Sequence, residues 1–219
     1  RQLSQSEAAL WGETHMFDQD PFLLNCLNGT VDLRTGNLME HRPEDFITRM
    51  AGTEYLPDAK CLMWERFLGE IMGENQELIA FLQRAVGYTL TGRTDEQCLF
   101  FCYGSGANGK STCIETIRSM LGSYGQQTDF ATFLDSRHQS VRNDLARMVG
   151  IRFLSATEVG AGHRFSEVVI KQITGGDTIT ARHLYREFFE FKPCFKLFLA
   201  ANDKPEIRGT DEGIWRRLR

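Results

Sequence analysis

The strongest chemical signal is a run of eight residues. Gly104, Ser105, Gly106, Ala107, Asn108, Gly109, Lys110 and Ser111 match the pattern G-x-x-x-x-G-K-[ST]. A polyphosphate needs several N–H donors aimed at one point, and glycines permit the backbone dihedrals that turn them inward. A helix opening near Lys110 adds its free N–H groups and the positive end of its dipole. Lys110 brings a positive charge to the β- and γ-phosphates. The Ser111 hydroxyl is placed to ligate Mg²⁺, and Thr112 to touch the α-phosphate. The segment reads as the phosphate cradle of an ATP-binding protein.

Such a loop works only between a buried strand and a helix. Residues 98–103 are a continuous apolar run, as expected of a strand buried on both faces. Cys113, Ile114, Ile117, Met120 and Leu121 then give a helical stripe, closed by Gly122. Two more apolar runs, 151–157 and 195–201, each lead into a polar residue. Glu158 follows the first. Hydrolysis uses a carboxylate to help hold Mg²⁺ and orient water, and a surface acid is the other reading. Asn202 follows the second. It is either a hydrogen-bonding partner of the water or γ-phosphate, or a turn residue.

Between these two runs, 178–181 and 188–191 read as strands around a tip holding Arg182, His183, Tyr185 and Arg186. That tip has the groups to contact phosphates and stack on bases, and an ordinary exposed hairpin is the alternative. The sequence closes on Trp215-Arg216-Arg217-Leu218-Arg219. An arginine there either stabilises a transferred phosphoryl group in trans or is simply solvated.

Upstream, apolar residues recur every four positions over 61–72 and again from Leu78 to Leu90, which predicts two helices. Runs around Thr35-Gly36 predict a small hairpin. Buried strands alternating with helices predict an α/β fold with a mainly parallel sheet, behind a small, mostly helical domain. The boundary falls near residue 95, giving segments 1–95 and 96–219.

The charge divides the same way. Residues 1–96 carry 8 basic and 16 acidic side chains, and 97–219 carry 17 and 13, so the phosphate-handling half is the basic one. The net charge of −4 argues against a strongly basic nucleic-acid binder. No apolar run is long enough to predict a membrane span. The six cysteines lack Cys-x-x-Cys spacing, which predicts free thiols in a reducing cytoplasm. No secretory leader opens the sequence. It begins at Arg1 rather than Met, and so reads as a piece of a longer protein or a processed product.

Taken in order, these segments resemble the superfamily 3 helicases, and most closely the C-terminal helicase part of phage and plasmid primase–helicases. The resemblance runs from about Phe22 to Arg219. It rests on the glycine loop, Asp144-Leu145-Ala146-Arg147 leading into 151–158, Lys171–Asp177 with its hairpin, Ala201–Pro205, and Trp215–Leu218. It implies an AAA+-like ATPase core using ATP and Mg²⁺. Glu158 would be the Walker B acid and Asn202 the sensor asparagine. Arg217 would be the finger acting on a neighbour's ATP, with Arg216 as runner-up. The tip at Arg182, His183, Tyr185 and Arg186, with Lys171, would grip single-stranded DNA inside a homo-hexameric ring. A primase or polymerase domain would share the polypeptide. Two departures stand out: the second Walker B acid is absent, and the sequence stops directly after the arginines.

The resemblance implies an ATP-driven helicase or translocase for replication of a mobile element. A replication initiator that uses ATP only as an assembly switch is the alternative. Glu158→Gln separates them, because a switch still completes its task on DNA while a motor binds and stalls. A small-molecule kinase would need an acceptor pocket for which the sequence offers no candidate.

Overall fold

The structure, a computed structural model, describes residues 16–134, 143–157, 165–202 and 212–219. Three short strands come first: β1 (Leu23–Cys26), β2 (Gly29–Asp32) and β3 (Asn37–Met39). They pair antiparallel in sequence order. β2 and β3 are the hairpin expected around Thr35-Gly36, and Gly36 takes the φ of 75° that its turn requires. β1 was not read from the sequence. Helices α1 (Leu62–Ile71) and α2 (Gln76–Leu90) stand where the apolar spacing places them. Asn75 caps α2 by accepting from the Leu78 amide at 3.1 Å.

The remaining elements are β4 (Leu99–Tyr103), α3 (Lys110–Leu121), β5 (Gly125–Gln127), α4 (Asn143–Ala146), β6 (Phe153–Thr157), α5 (Glu167–Thr174), β7 (Ile179–Ala181), β8 (Phe189–Phe191), β9 (Lys196–Ala201) and α6 (Glu212–Trp215). β4, β9, β6 and β5 form a parallel sheet in that order, while β7 and β8 form a separate antiparallel hairpin. The chain's last residues run along the outer edge of β4. There the Leu99 amide donates to Arg217 O, and the Phe101 amide to Arg219 O, both at 2.8 Å.

Every residue of β9 is buried, because the sheet is covered on both faces. On one face, Phe100, Phe153 and Phe198 pack with ring centroids 4.7 and 4.8 Å apart. They share a cluster with Ile114 and Ile117 of α3 and with Leu24, Val31, Leu68 and Ala85 from upstream. On the other face, Leu154, Ala156, Leu197 and Leu199 meet Val169, Ile170 and Ile173 of α5, and Ile214 of α6. Each buried ring stabilises by roughly 2 kcal/mol, and an aromatic pair adds about 1 more. The upstream helices and strands therefore contribute to the same core as the sheet.

Two buried cations tie that junction. Arg152, just before β6, donates from Nη2 to Leu23 O at 2.6 Å and from Nη1 to Leu90 O. Lys196, opening β9, donates from Nζ to Arg93 O at 3.0 Å and to Thr91 O. Carbonyls at a helix C-terminus have no helical N–H to bond, and cations are favoured there. The sheet supplies both. Each cation also lies 4.8 Å from an aromatic ring centroid, Arg152 at Tyr124 and Lys196 at Tyr88. No helix among the described residues is long and apolar enough to cross a membrane.

Candidate nucleotide site

The sheet order explains where a ligand would sit. The chain leaves β4 through α3 to the far strand β5, and returns to β9 only after β6. Parallel sheets bind ligands at the carboxyl ends of their strands where the winding reverses, which here lies between β4 and β9. The glycine loop occupies that crevice. Gly104, Ala107 and Gly109 all have positive φ, at 147°, 60° and 80°.

The loop is also braced from behind. A Cβ on Gly109 would stand 2.4 Å from Ile71 Cγ2 and 3.3 Å from the Phe67 ring, so α1 presses directly on the loop's last residue. The Gly109 carbonyl accepts from the Cys113 amide at 2.9 Å, the first bond of α3. Gly109→Ala must therefore move either α1 or the start of α3. It is expected to weaken nucleotide binding by about tenfold or more. Titration with a fluorescent ATP analogue reads this directly, and an affinity within twofold of the parent would remove Gly109 as a constraint.

Lys110 donates from Nζ to Gly104 O at 2.5 Å and to Asn108 Oδ1 at 2.9 Å. Residues Gly106 to Thr112 line a cleft whose opposite wall is Thr157, Ala200, Ala201 and Asn202. Gly104 and Ser105 open the loop. The side chains of Ser111, Thr157 and Asn202 have no hydrogen-bond partner among the described residues. One ammonium, the loop and helix N–H groups, and a free hydroxyl at the second position of α3 fit a triphosphate with its divalent ion.

Of the residues read from the sequence, the loop and Asn202 come together at this cleft. Glu158 lies outside the described residues, next to Thr157. Arg217 is buried at 7% exposure, where it donates from Nε to Thr174 Oγ1 at 3.0 Å and from Nη1 to Gly213 O. Arg216 is exposed, and its side chain makes a long 3.4 Å contact to Gln97 Oε1. Lys171 lies on α5, 3.8 Å from Glu167.

The β7–β8 tip stands apart from the cleft-lining residues. Tyr185 is fully exposed at a φ of 59°, Arg182 lies over the Phe188 ring at 4.8 Å, and His183 stacks on Phe189 at 5.7 Å. Arg186 closes the turn by donating its amide to His183 O at 3.1 Å.

All six cysteines are free. Cys102 and Cys113 flank the loop, and burial pushes their thiols up to about 11 and about 12. Neither supplies a thiolate at neutral pH. Sequence reading passed over Thr157 as a cleft residue and missed the α1 contact. A strand buried on both faces carries no directional signal for the first, and nothing local carries one for the second.

Fold and site define the class: an α/β domain of the superfamily 3 helicase type found in phage primase–helicases. The chain belongs to the family of unknown function DUF5906, whose model matches residues 102–217, and a model described as D5 N terminal like matches residues 3–73. Among its relatives are two viral proteins that carry the name Putative helicase. L207/L206 of Acanthamoeba polyphaga mimivirus is 33% identical over 92% of this chain and 22% of its own length. Protein 022R of Frog virus 3 (isolate Goorha) is 24% identical over 93% and 28%. This chain thus spans about a quarter of the length of these relatives. The apo structure of the NrS-1 C-terminal region shares the fold, with a TM-score of 0.55 and 13% identity, covering 73% of this chain and 38% of that one.

Proposed function

We propose that this chain is the ATP-hydrolysing core of a DNA helicase or translocase that serves replication. The observation that carries the reading is the placement of Asn202. It follows the end of β9, the strand next to the loop-bearing β4, and its amide, with no hydrogen-bond partner among the described residues, stands in the cleft with Lys110 and Ser111. That is where an amide can hold an attacking water or a γ-phosphate oxygen.

In this reading the loop N–H groups and Lys110 hold the β- and γ-phosphates. A water oxygen attacks the γ-phosphorus in line, the bond to the β–γ bridging oxygen breaks, and ADP leaves. Glu158 takes the water's proton and Asn202 orients the water. Magnesium, when bound, neutralises phosphate charge, with the Ser111 hydroxyl as its ligand from α3. We assign the trans guanidinium to Arg216. Arg217, the first choice from sequence, already spends its guanidinium on Thr174 and Gly213 within its own chain. The division near residue 95, the homo-hexameric ring, and a primase or polymerase domain on the same polypeptide belong to the same proposal.

The β7–β8 tip is assigned to single-stranded DNA. Tyr185→Ala is expected to lower affinity for a fluorescent oligonucleotide by about tenfold, the loss of one base-stacking contact, and to leave ATP binding unchanged. Equal oligonucleotide affinity would move the DNA site elsewhere. The reading as a whole is tested with the longer parent protein, ATP and a forked duplex. DNA-stimulated phosphate release and strand separation are expected, and the absence of both refutes it.

A further inference from the structure

Behind the phosphate loop, two side chains of α1 fill the space that a side chain at position 109 would need. Phe67 and Ile71 are four residues apart, so they share one face of the helix. A Cβ on Gly109 would collide with Ile71 Cγ2 and stand 3.3 Å from Phe67 Cε2 and Cζ. Phe67 is itself held, stacked on Trp64 at 5.4 Å between ring centroids. All three side chains pack against the cluster that contains Cys113, Ile114 and Ile117 of α3. The brace and the helix that opens after Gly109 thus share one core.

A glycine loses more conformational freedom on ordering than any other residue. Gly109 must hold a φ of 80° while its carbonyl starts α3 by accepting from the Cys113 amide at 2.9 Å. Apolar groups pressed against it restrict that freedom before any ligand arrives, and restriction in the bound conformation raises affinity. The brace is itself lightly anchored. Of the ten residues of α1, only Leu68 and Gly69 are buried, and an element with few buried groups opens at low free energy.

We propose that Phe67 and Ile71 are positioning residues for the phosphate loop, and that nucleotide affinity is thereby tied to the seating of α1. This rests on the ATP-binding reading above. It gives the upstream segment a task in the nucleotide site, acting through Gly109 rather than on the nucleotide. By reciprocity, bound nucleotide steadies α1.

The test is calorimetric titration of the full chain with ATP and Mg²⁺, beside a melting curve. Phe67→Ala and Ile71→Ala are each expected to weaken ATP binding about threefold to fivefold, the worth of one restrained glycine. Both also open space in the core, so a cavity elsewhere serves as the control. Leu24→Ala, on β1, loosens the same cluster and should lower the melting temperature while leaving ATP affinity unchanged. The pair of Ile71 and Gly109 gives a sharper readout. In the Ile71→Ala background, Gly109→Ala should cost about threefold less affinity than it does in the parent. The rescue is partial, because the positive φ still disfavours alanine. ATP should also slow amide exchange across residues 62–71 of the parent. Additive effects of Ile71→Ala and Gly109→Ala, a loss of affinity in Leu24→Ala equal to that in Phe67→Ala, or unchanged exchange in α1 each overturn the proposal and leave the ATP-binding reading standing. If the parent itself binds no ATP at millimolar concentration, both fall together.

Discussion

Lys110→Ala is expected to reduce ATP affinity and hydrolysis by roughly a hundredfold to a thousandfold, without a change in thermal stability. Among the described residues the amine bonds to oxygens of its own loop, Gly104 O and Asn108 Oδ1. Neither partner carries a charge, so the ammonium is held in place without being neutralised. A triphosphate offers it charged oxygens instead, and so adds a Coulombic attraction between opposite charges that the loop oxygens lack. Losing that contact to a developing phosphate charge costs about 3–4 kcal/mol in comparable sites. Stability should hold because the side chain is only half-buried and packs on loop atoms rather than in the core. Lys110→Arg keeps the charge but spreads it over a planar fork, so it should recover part of the affinity and little of the rate. Titration with a fluorescent ATP analogue, phosphate-release kinetics and a melting curve give the three readouts. An affinity within threefold of the parent would remove the glycine loop from the nucleotide site.

The loop was legible because its chemistry is local. Its glycines, lysine and serine are consecutive, and the runs 98–103 and 113–121 announce the strand and helix that hold it. The other cleft wall was legible only in part. Strands buried on both faces show no alternation in hydrophobicity, so residues 151–157 and 195–201 gave position along the chain but not direction. That is why Glu158, which lies outside the described residues, drew attention and Thr157 did not. β5 escaped notice because Gly125, Gln126 and Gln127 are polar and pair along the sheet's edge with β6. The burial of Arg217 was hidden for a different reason. A basic cluster reads as solvated, and nothing in Trp215–Arg219 reveals that Thr174, 43 residues away, accepts a bond from one of those arginines. The same blindness applies to the upstream part. The stripes of α1 and α2 predict helices, yet the contact of Phe67 and Ile71 with Gly109 is a tertiary event.

Arg152 and Lys196 escaped for the same cause, and Lys196 yields a second large effect. At 1% exposure it is among the most buried side chains, with carbonyls and a ring for partners and no carboxylate bonded to it among the described residues. Burial, reinforced by repulsion from Arg152, lowers its ammonium from 10.5 to about 7. The unfolded chain keeps that proton up to about pH 10.4. Between the two values unfolding takes up a proton, so stability rises with pH by up to about 1.4 kcal/mol per unit. Below about pH 7 both states hold the proton and this contribution is flat. At higher pH the thiols oppose it. Burial raises Cys26, Cys98 and Cys194 as well as Cys102 and Cys113. The unfolded chain loses those protons first, and stability falls beyond about pH 8.5. The same thiols are present in a Lys196 variant, so the difference between it and the parent across pH 7 to 8.5 isolates Lys196. Lys196→Met keeps the stem over Tyr88 but removes the donor and the titration. It should be less stable than the parent at pH 8.5, by about 1–3 kcal/mol for the unbonded Thr91 and Arg93 carbonyls. Relative to the parent, its stability should also fall across the window, because it lacks the Lys196 contribution. Urea unfolding of both proteins at pH 7.0 and 8.5 measures the difference in slope. Equal slopes would mean that Lys196 keeps its proton throughout, and that the carbonyls at the end of α2 stabilise the ammonium as well as water does.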